Sequence, residues 1–337
     1  MRSMTLRPIG KFHLPAIALV RSAMGLVLAA LAAAAPAQEL TLAVSKSPLS
    51  LPLYVADVAG FFQDEGLKVR ITECVGGHRC LKLMLDGQVD VATAGDTPVM
   101  FNSFQRSDFA VIGTIATTTD DLKLYVRQDA GIARPRDLAR KRIGVVIGTS
   151  SHYFLDSLLM VHGVDPRDIQ PVPMQPEAMQ EALQTKRVDA VSVWEPYGYR
   201  LASALKTSVV ALPNAGAYSA VFNLVVHRRL VGTRDADLVK LLTAVDRAET
   251  LIRDDPGRAK LILRQRLATD DDFVRWVWPS LTYRLSLDQS LLKTLESEAR
   301  WALREGHVTG RAAPNFLPYL HRAPLMQVRP EAVGISR

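Results

Sequence analysis

"LDGQVDVATAGDTP", residues 85–98, is echoed ninety-nine positions later by "QTKRVDAVSVWEPY", residues 184–197. Val89-Asp90 falls on Val188-Asp189, and Asp96 falls on Glu195. In both copies a helix end gives way to a turn, then a short apolar run, then an acid near a proline. A short apolar run bounded by turn residues reads as a buried strand. Two strands of this kind, each ending in a polar mouth, predict two lobes of similar build.

The same rhythm extends in both directions. "LTLAV" from residue 40 reads as a strand, and Ser50 to Phe62 as a helix that Gly66 ends in the αL position. Strands follow at Val69–Cys74, 89–95 and 109–116, with helices between them. The pattern restarts with strands in "LKLYVR", "RIGVVIG", "IQPVPM" and "VDAVSVW", and "SAVFNLVVHRRL" reads as a returning strand. Strands alternating with helices through short loops imply an α/β fold with mainly parallel sheets. From Arg234 to His307 the chain reads as largely helical. Asp255-Pro256 forms one helix start, and Thr269 with Asp272 resembles a capping box.

In open α/β sheets ligands gather beyond the carboxyl ends of the strands, where loops and helix N-termini converge. Those N-termini offer unpaired N–H groups and partial positive charge, and small hydroxyl residues let an anion approach. Three segments fit: Gly76-Gly77-His78-Arg79, Gly95-Asp96-Thr97 and Thr149-Ser150-Ser151-His152. Each also has a purely structural reading. The glycine pair could be a tight turn, Ser150 an N-cap, and Asp96 and Glu195 caps of the helices that follow. Trp194 is either core or a stacking wall at the mouth of its strand. The run Thr117 to Asp120, which includes Thr118, reads as a hinge or cleft floor, or as solvated loop.

Bulk properties narrow the function. The first 37 residues carry Arg2, Arg7, Lys11 and Arg21, then the apolar "SAMGLVLAALAAAA" and Ala35-Pro36-Ala37. A basic start, a short apolar run and an A-x-A site predict a cleavable signal peptide and export to the periplasm. A largely apolar run of about 14 residues falls short of the roughly 20 that span a bilayer, and no cysteine follows the site to carry a lipid anchor. The formal charge of the chain is +7, and removing the four basic residues of this segment leaves +3. That balance is too mild for nucleic acid. Cys74 and Cys80 are the only cysteines; in an exported protein a close pair reads first as a disulfide, ahead of free thiols. His78 lies between them, but three ligands within seven residues match no common zinc spacing. No G-x-S-x-G, H-E-x-x-H or P-loop is present, so no catalytic residue, metal or cofactor is expected.

Three stretches resemble one family. "PLYVADVAGFFQDEGLKV", "DLARKRIGVVIGTSSHYFL" and "VDAVSVWEPY" are similar, in order, to segments of the substrate-binding proteins of sulfonate, taurine and nitrate ABC importers, grouped with the NMT1/THI5-like proteins. The resemblance runs from about residue 39 to about 320. It implies the type II periplasmic-binding-protein fold, with residues 38–118 and 220–337 in one lobe and 119–219 in the other. It also implies a monomeric receptor that closes on a small solute, then delivers it to a membrane permease with a cytoplasmic ATPase. By position, the ligand set would be Ser47, Leu49, Ser50, Gly76, Gly77, His78, Arg79, Asp96, Thr97, Thr118, Ser150, Ser151, His152, Tyr153, Trp194 and Glu195. Asp96 stands where sulfonate binders usually carry a small neutral residue, and the cysteine pair is not a general family feature. An amine-bearing, zwitterionic or heteroaromatic solute therefore fits as well as a simple sulfonate. An enzyme like the thiamine-pyrimidine synthases of the same fold is the alternative, and a sensory receptor a third.

Overall fold

The computed structural model describes Met1, residues 39–214 and residues 216–335. The expected signal peptide therefore lies, beyond Met1, outside the described residues. Among them, no helix is long and apolar enough to cross a membrane.

Strand β1 (Leu40–Ser45), helices α1 (Leu51–Val58) and α2 (Phe61–Asp64), and β2 (Val69–Cys74) open the chain. They are followed by α3 (Gly77–Leu85), β3 (Val91–Gly95), α4 (Asp96–Ser103) and β4 (Phe109–Thr118). The chain then crosses to a second sheet. There β5 (Leu122–Arg127), β6 (Arg142–Val145), α5 (Ser150–Val161), β7 (Gln170–Pro173), α6 (Met179–Gln184), β8 (Ala190–Trp194), α7 (Tyr197–Leu205) and β9 (Val209–Leu212) succeed one another. It returns as β10 (Ala220–His227), α8 (Asp235–Asp254), α9 (Pro256–Leu267), α10 (Asp271–Val277), β11 (Leu281–Asp288), α11 (Gln289–Arg304), α12 (Ala323–Val328) and β12 (Val333–Gly334). The larger sheet has the order β12-β11-β4-β10-β3-β1-β2 and the smaller β7-β6-β8-β5-β9. Each anchors its own apolar core. This is the two-lobed periplasmic-binding-protein arrangement.

Neither sheet is as uniformly parallel as the sequence suggests. β10 runs antiparallel to both β3 and β4, and β5 antiparallel to both β8 and β9. The cause is connectivity. A chain leaving one sheet at the carboxyl end of a strand enters the other sheet at the facing edge, so its first strand there must run away from that edge. β5 and β10 are those entry strands. A further departure is β11, inside the segment read as helical. Its alternating Leu281, Tyr283, Leu285 and Leu287 carry a strand's period of two, and it pairs with β4.

The repeated Val-Asp pair has a physical basis. Asp90 Oδ2 accepts from the Thr41 amide at 3.0 Å, and the Asp90 amide donates to the Thr41 carbonyl at 2.9 Å. Asp189 repeats both contacts with Arg142, at 3.0 and 2.8 Å. Each aspartate thus ties the start of its strand to the parallel neighbour, which fixes the register of β3 on β1 and of β8 on β6.

Helix α10 corrects another expectation. Its N-cap is Asp270, whose Oδ1 accepts from the Phe273 amide at 2.7 Å, rather than Thr269, whose buried hydroxyl has no partner among the described residues. Asp270→Ala is expected to lower stability by about 1–2 kcal/mol, and Thr269→Ala by less, in urea unfolding of the two variants. The reverse order would restore the Thr269 cap.

Candidate functional site

Between the two sheets lies a crevice with an enclosed volume of about 50 Å³. Its walls are strand ends. The larger half contributes Ser45 at the end of β1 and Ser47 just after it, Gly76 to His78 at the start of α3, Gly95 at the end of β3, Pro98 on α4, and Ala220 to Phe222 at the start of β10. The smaller half contributes Thr149 and Ser150 at the start of α5, Trp194 at the end of β8, and Asp121 and Leu122 at the start of β5. Leu49 completes the lining. Carboxyl ends of parallel strands and amino ends of the two entry strands therefore meet at one place, as the topology requires.

Local sequence explains how the walls hold their shape. Gly77 lets α3 sit directly on β3: a Cβ there would lie 2.9 Å from Ala94 Cα and 3.1 Å from the Gly95 amide nitrogen. Cys74, the last residue of β2, and Cys80, in the first turn of α3, form a disulfide with Cα atoms 5.6 Å apart. It fastens the loop that carries Gly76 and Gly77. On the opposite wall, Thr149 Oγ1 donates to the Val146 carbonyl at 2.7 Å and lies 3.1 Å from Ser151 Oγ. Helices α3 and α5 both begin at the crevice, and the first N–H groups of a helix have no partner within it.

Among the described residues, the lining contains no lysine or arginine. Its one acid, Asp121, is buried, and Oδ1 has no hydrogen-bond partner among the described residues. Burial, reinforced by the charge of Glu195, pushes its carboxyl up to about 8, so at neutral pH it is largely protonated and can donate. Burial, with Arg79 alongside, pushes the His78 imidazole down to about 4, which leaves it neutral. His78 stands edge-on to Trp194 with ring centroids 5.8 Å apart. The crevice is thus polar, aromatic on one wall and close to uncharged.

Of the residues predicted from sequence, Ser47, Leu49, Gly76, Gly77, His78, Ser150 and Trp194 line this crevice. The remainder do not. Arg79 leaves the site and reaches the other half, where it pairs with Glu177 at 2.7 Å and Gln175 at 2.9 Å. Ser50 is buried in the turn before α1. Asp96 lies behind the wall, held by the Tyr218 hydroxyl, the Thr97 amide at 2.9 Å and the Val221 amide at 3.3 Å. Thr97 donates to Glu298 Oε1 at 2.5 Å. Burial raises both carboxyls, Asp96 and Glu298, and the charge of Asp96 raises Glu298 further. Thr118 ends β4, just before the crossing to β5, with its hydroxyl 3.4 Å from Ser280 Oγ. Glu195 caps α7 through the Tyr199 amide at 2.9 Å and accepts from Trp276 Nε1 at 3.1 Å.

Helix α5 shows why a contiguous motif cannot all face one ligand. Successive residues turn by about 100°, so Ser150 faces the crevice while its successors point inward. Ser151 is fully buried, and its carbonyl accepts from Ser192 Oγ at 2.8 Å. Tyr153 packs on Trp301 and Tyr218 at 5.0 and 5.3 Å, away from Trp194. His152 lies edge-on to Trp301, with ring centroids 5.3 Å apart, and tilted against His307. The reading missed Asp121, Leu122 and Ala220 to Phe222. Their signal was their position directly after each crossing between lobes.

A family model described as NMT1/THI5 like matches residues 47–259. The putative aliphatic sulfonates-binding protein of Bacillus subtilis is 32% identical over 153 residues, covering 43% of this chain and 45% of that protein. The taurine-binding periplasmic protein of Escherichia coli is 28% identical over 177 residues, covering 52% and 55%. The chain thus spans about half the length of the curated relatives it matches. Among solved structures, the alkanesulfonate-binding protein SsuA from Xanthomonas axonopodis pv. citri, bound to MOPS, superposes with a TM-score of 0.74 at 22% identity. That match covers 86% of this chain and 100% of the other, and the likeness is one of fold.

Proposed function

This chain belongs to the NMT1/THI5-like family, and from that premise we propose that it is the periplasmic receptor of an ABC importer for a small sulfonate-class solute. The solute binds between the lobes and passes to a membrane permease driven by a cytoplasmic ATPase. One observation carries this reading: two helix N-termini, serine and threonine hydroxyls and a protonated Asp121 converge on a crevice without basic side chains. A sulfonate spreads its charge over three oxygens and is held by neutral donors. Trp194 supplies an apolar wall for the organic part. The names of the relatives, sulfonate and taurine binders, support the same class.

Asp96 weighs less against an anion than the sequence suggested. Its oxygens accept from Tyr218 and from the Thr97 and Val221 amides, with the Ser150 hydroxyl at 3.5 Å, so its charge is held by donors rather than open to the solute. A zwitterion such as taurine fits too, with its sulfonate at the same neutral donors.

The receptor is expected to bind one solute per chain and to leave it chemically unchanged. Isothermal calorimetry against alkanesulfonates, taurine, amino acids and pyrimidines, with mass spectrometry of the recovered solute, tests this. Saturable 1:1 binding of a sulfonate, recovered intact, is the expected result. Binding confined to pyrimidines, or appearance of a product, would overturn it.

A further inference from the structure

His152, read from sequence as a solute contact, belongs instead to a second constellation. His152 and Asp156 lie one turn apart on α5, in the smaller half. His307 follows α11, which packs in the larger half. One potential ligand atom from each lies within 4.8 Å of the other two. His307 Nε2 is 3.2 Å from Asp156 Oδ2, and the two imidazole rings are 4.4 Å apart. His152 and Asp156 are buried, at 4% and 3% exposure.

We propose that His152, Asp156 and His307 bind a first-row divalent cation such as zinc, and that this ion clasps the two lobes together. Two imidazoles and a carboxylate form a common donor set for such ions. Ligand atoms about 2.0–2.2 Å from a shared zinc ion lie roughly 3.3 Å from one another in a tetrahedron. The His307–Asp156 separation already matches. The carboxylate is also oriented as metal ligands usually are. Trp301 Nε1, which cannot coordinate a metal, donates to Asp156 Oδ2 at 3.1 Å. The Gly148 amide approaches His152 Nδ1 only at 3.5 Å, so this imidazole is weakly committed elsewhere.

Access is provided for. The cluster opens on a cavity of about 70 Å³, lined also by Glu305 and Arg167. Arg167 is engaged by Asp165, with its Nε 2.9 Å from Oδ1, and Glu305 lends a nearby negative charge. The cavity leaves room for water as a fourth ligand, and it is separate from the solute crevice.

The consequence follows from where the donors come from. An ion that needs donors from both halves is bound fully only when the lobes are together, so it favours the closed form by its difference in affinity for the two. It would slow opening without touching the solute.

The test uses the full exported chain and zinc ions alone. Calorimetry should give one zinc site in the wild-type chain, weakened at least roughly tenfold in His307→Gln and in Asp156→Asn. His227→Gln, outside the cluster, should bind as wild type does. His307 is solvent-facing and Asp156→Asn keeps an acceptor for Trp301, so one variant or the other is expected to fold, as circular dichroism will show. Hydrogen exchange should slow on zinc addition both at residues 148–156 and at residues 301–307. Failure of the wild type to bind zinc, equal binding by both cluster variants, or protection confined to one lobe would each overturn the proposal.

Discussion

Gly76→Val is expected to weaken solute binding by at least about a hundredfold, the equivalent of roughly 2.7 kcal/mol. Gly76 has φ +76°, a conformation that a β-branched residue adopts only with strain. A Cβ there would lie 2.8 Å from the His78 ring and 2.9 Å from Trp194. The Trp194 contact crosses the crevice, so the added side chain acts as a wedge between the lobes. Overpacking a fitted site costs about 1–3 kcal/mol, and here the larger share falls on the closed form alone. Stability should drop by less, about 1–2 kcal/mol for the strained backbone. Calorimetry with the tightest-binding sulfonate, paired with urea unfolding, separates the two effects. A variant that binds within a fewfold of wild type would mean that Trp194 and Gly76 do not enclose the solute.

Asp121→Asn should remove a pH dependence from both folding and binding. The carboxyl titrates near its ordinary 3.8 in the unfolded chain and near 8 in the native state, because burial disfavours its charge. Between those values the native protein retains a proton that the unfolded chain has released. Asp121 therefore contributes full stability below about pH 4, and this is progressively lost as pH rises to about 8. The asparagine variant should gain relative to wild type by a few kcal/mol, as an order of magnitude, between pH 5 and pH 8. Urea midpoints of both proteins at the two pH values measure this, and parallel slopes would contradict it. Sulfonate affinity should follow the same sign: protonated Asp121 donates to the anion, ionised Asp121 repels it. Wild-type binding should weaken through about pH 8 while the variant's does not.

The alternation of strand and helix was legible where elements are short and apolar and end at glycines, as at Gly66, Gly87, Gly95 and Gly163. The Val-Asp echo was legible because register at two equivalent strand starts needs the same carboxylate, supplied by Asp90 and Asp189. Strand β11 escaped because its alternating pattern sits between helices α10 and α11, where local propensity gives way to pairing with β4. The crevice was half legible. Gly76, Gly77, Ser150 and Trp194 mark the ends of elements, and element ends are what a sequence displays. Asp121, directly before β5, and Phe222, in β10, sit at entry strands whose reversal depends on which sheet receives the chain. His152 and Tyr153 followed Ser150 in sequence, but helical rotation turned them from the crevice to the lobe interface.

Solution scattering with and without the tightest-binding sulfonate tests the central claim, that one solute is held by both lobes at once. The radius of gyration should fall on saturation in the wild-type chain and stay constant in Gly76→Val. A saturated wild-type protein whose radius does not change would place the solute on one lobe and contradict the account.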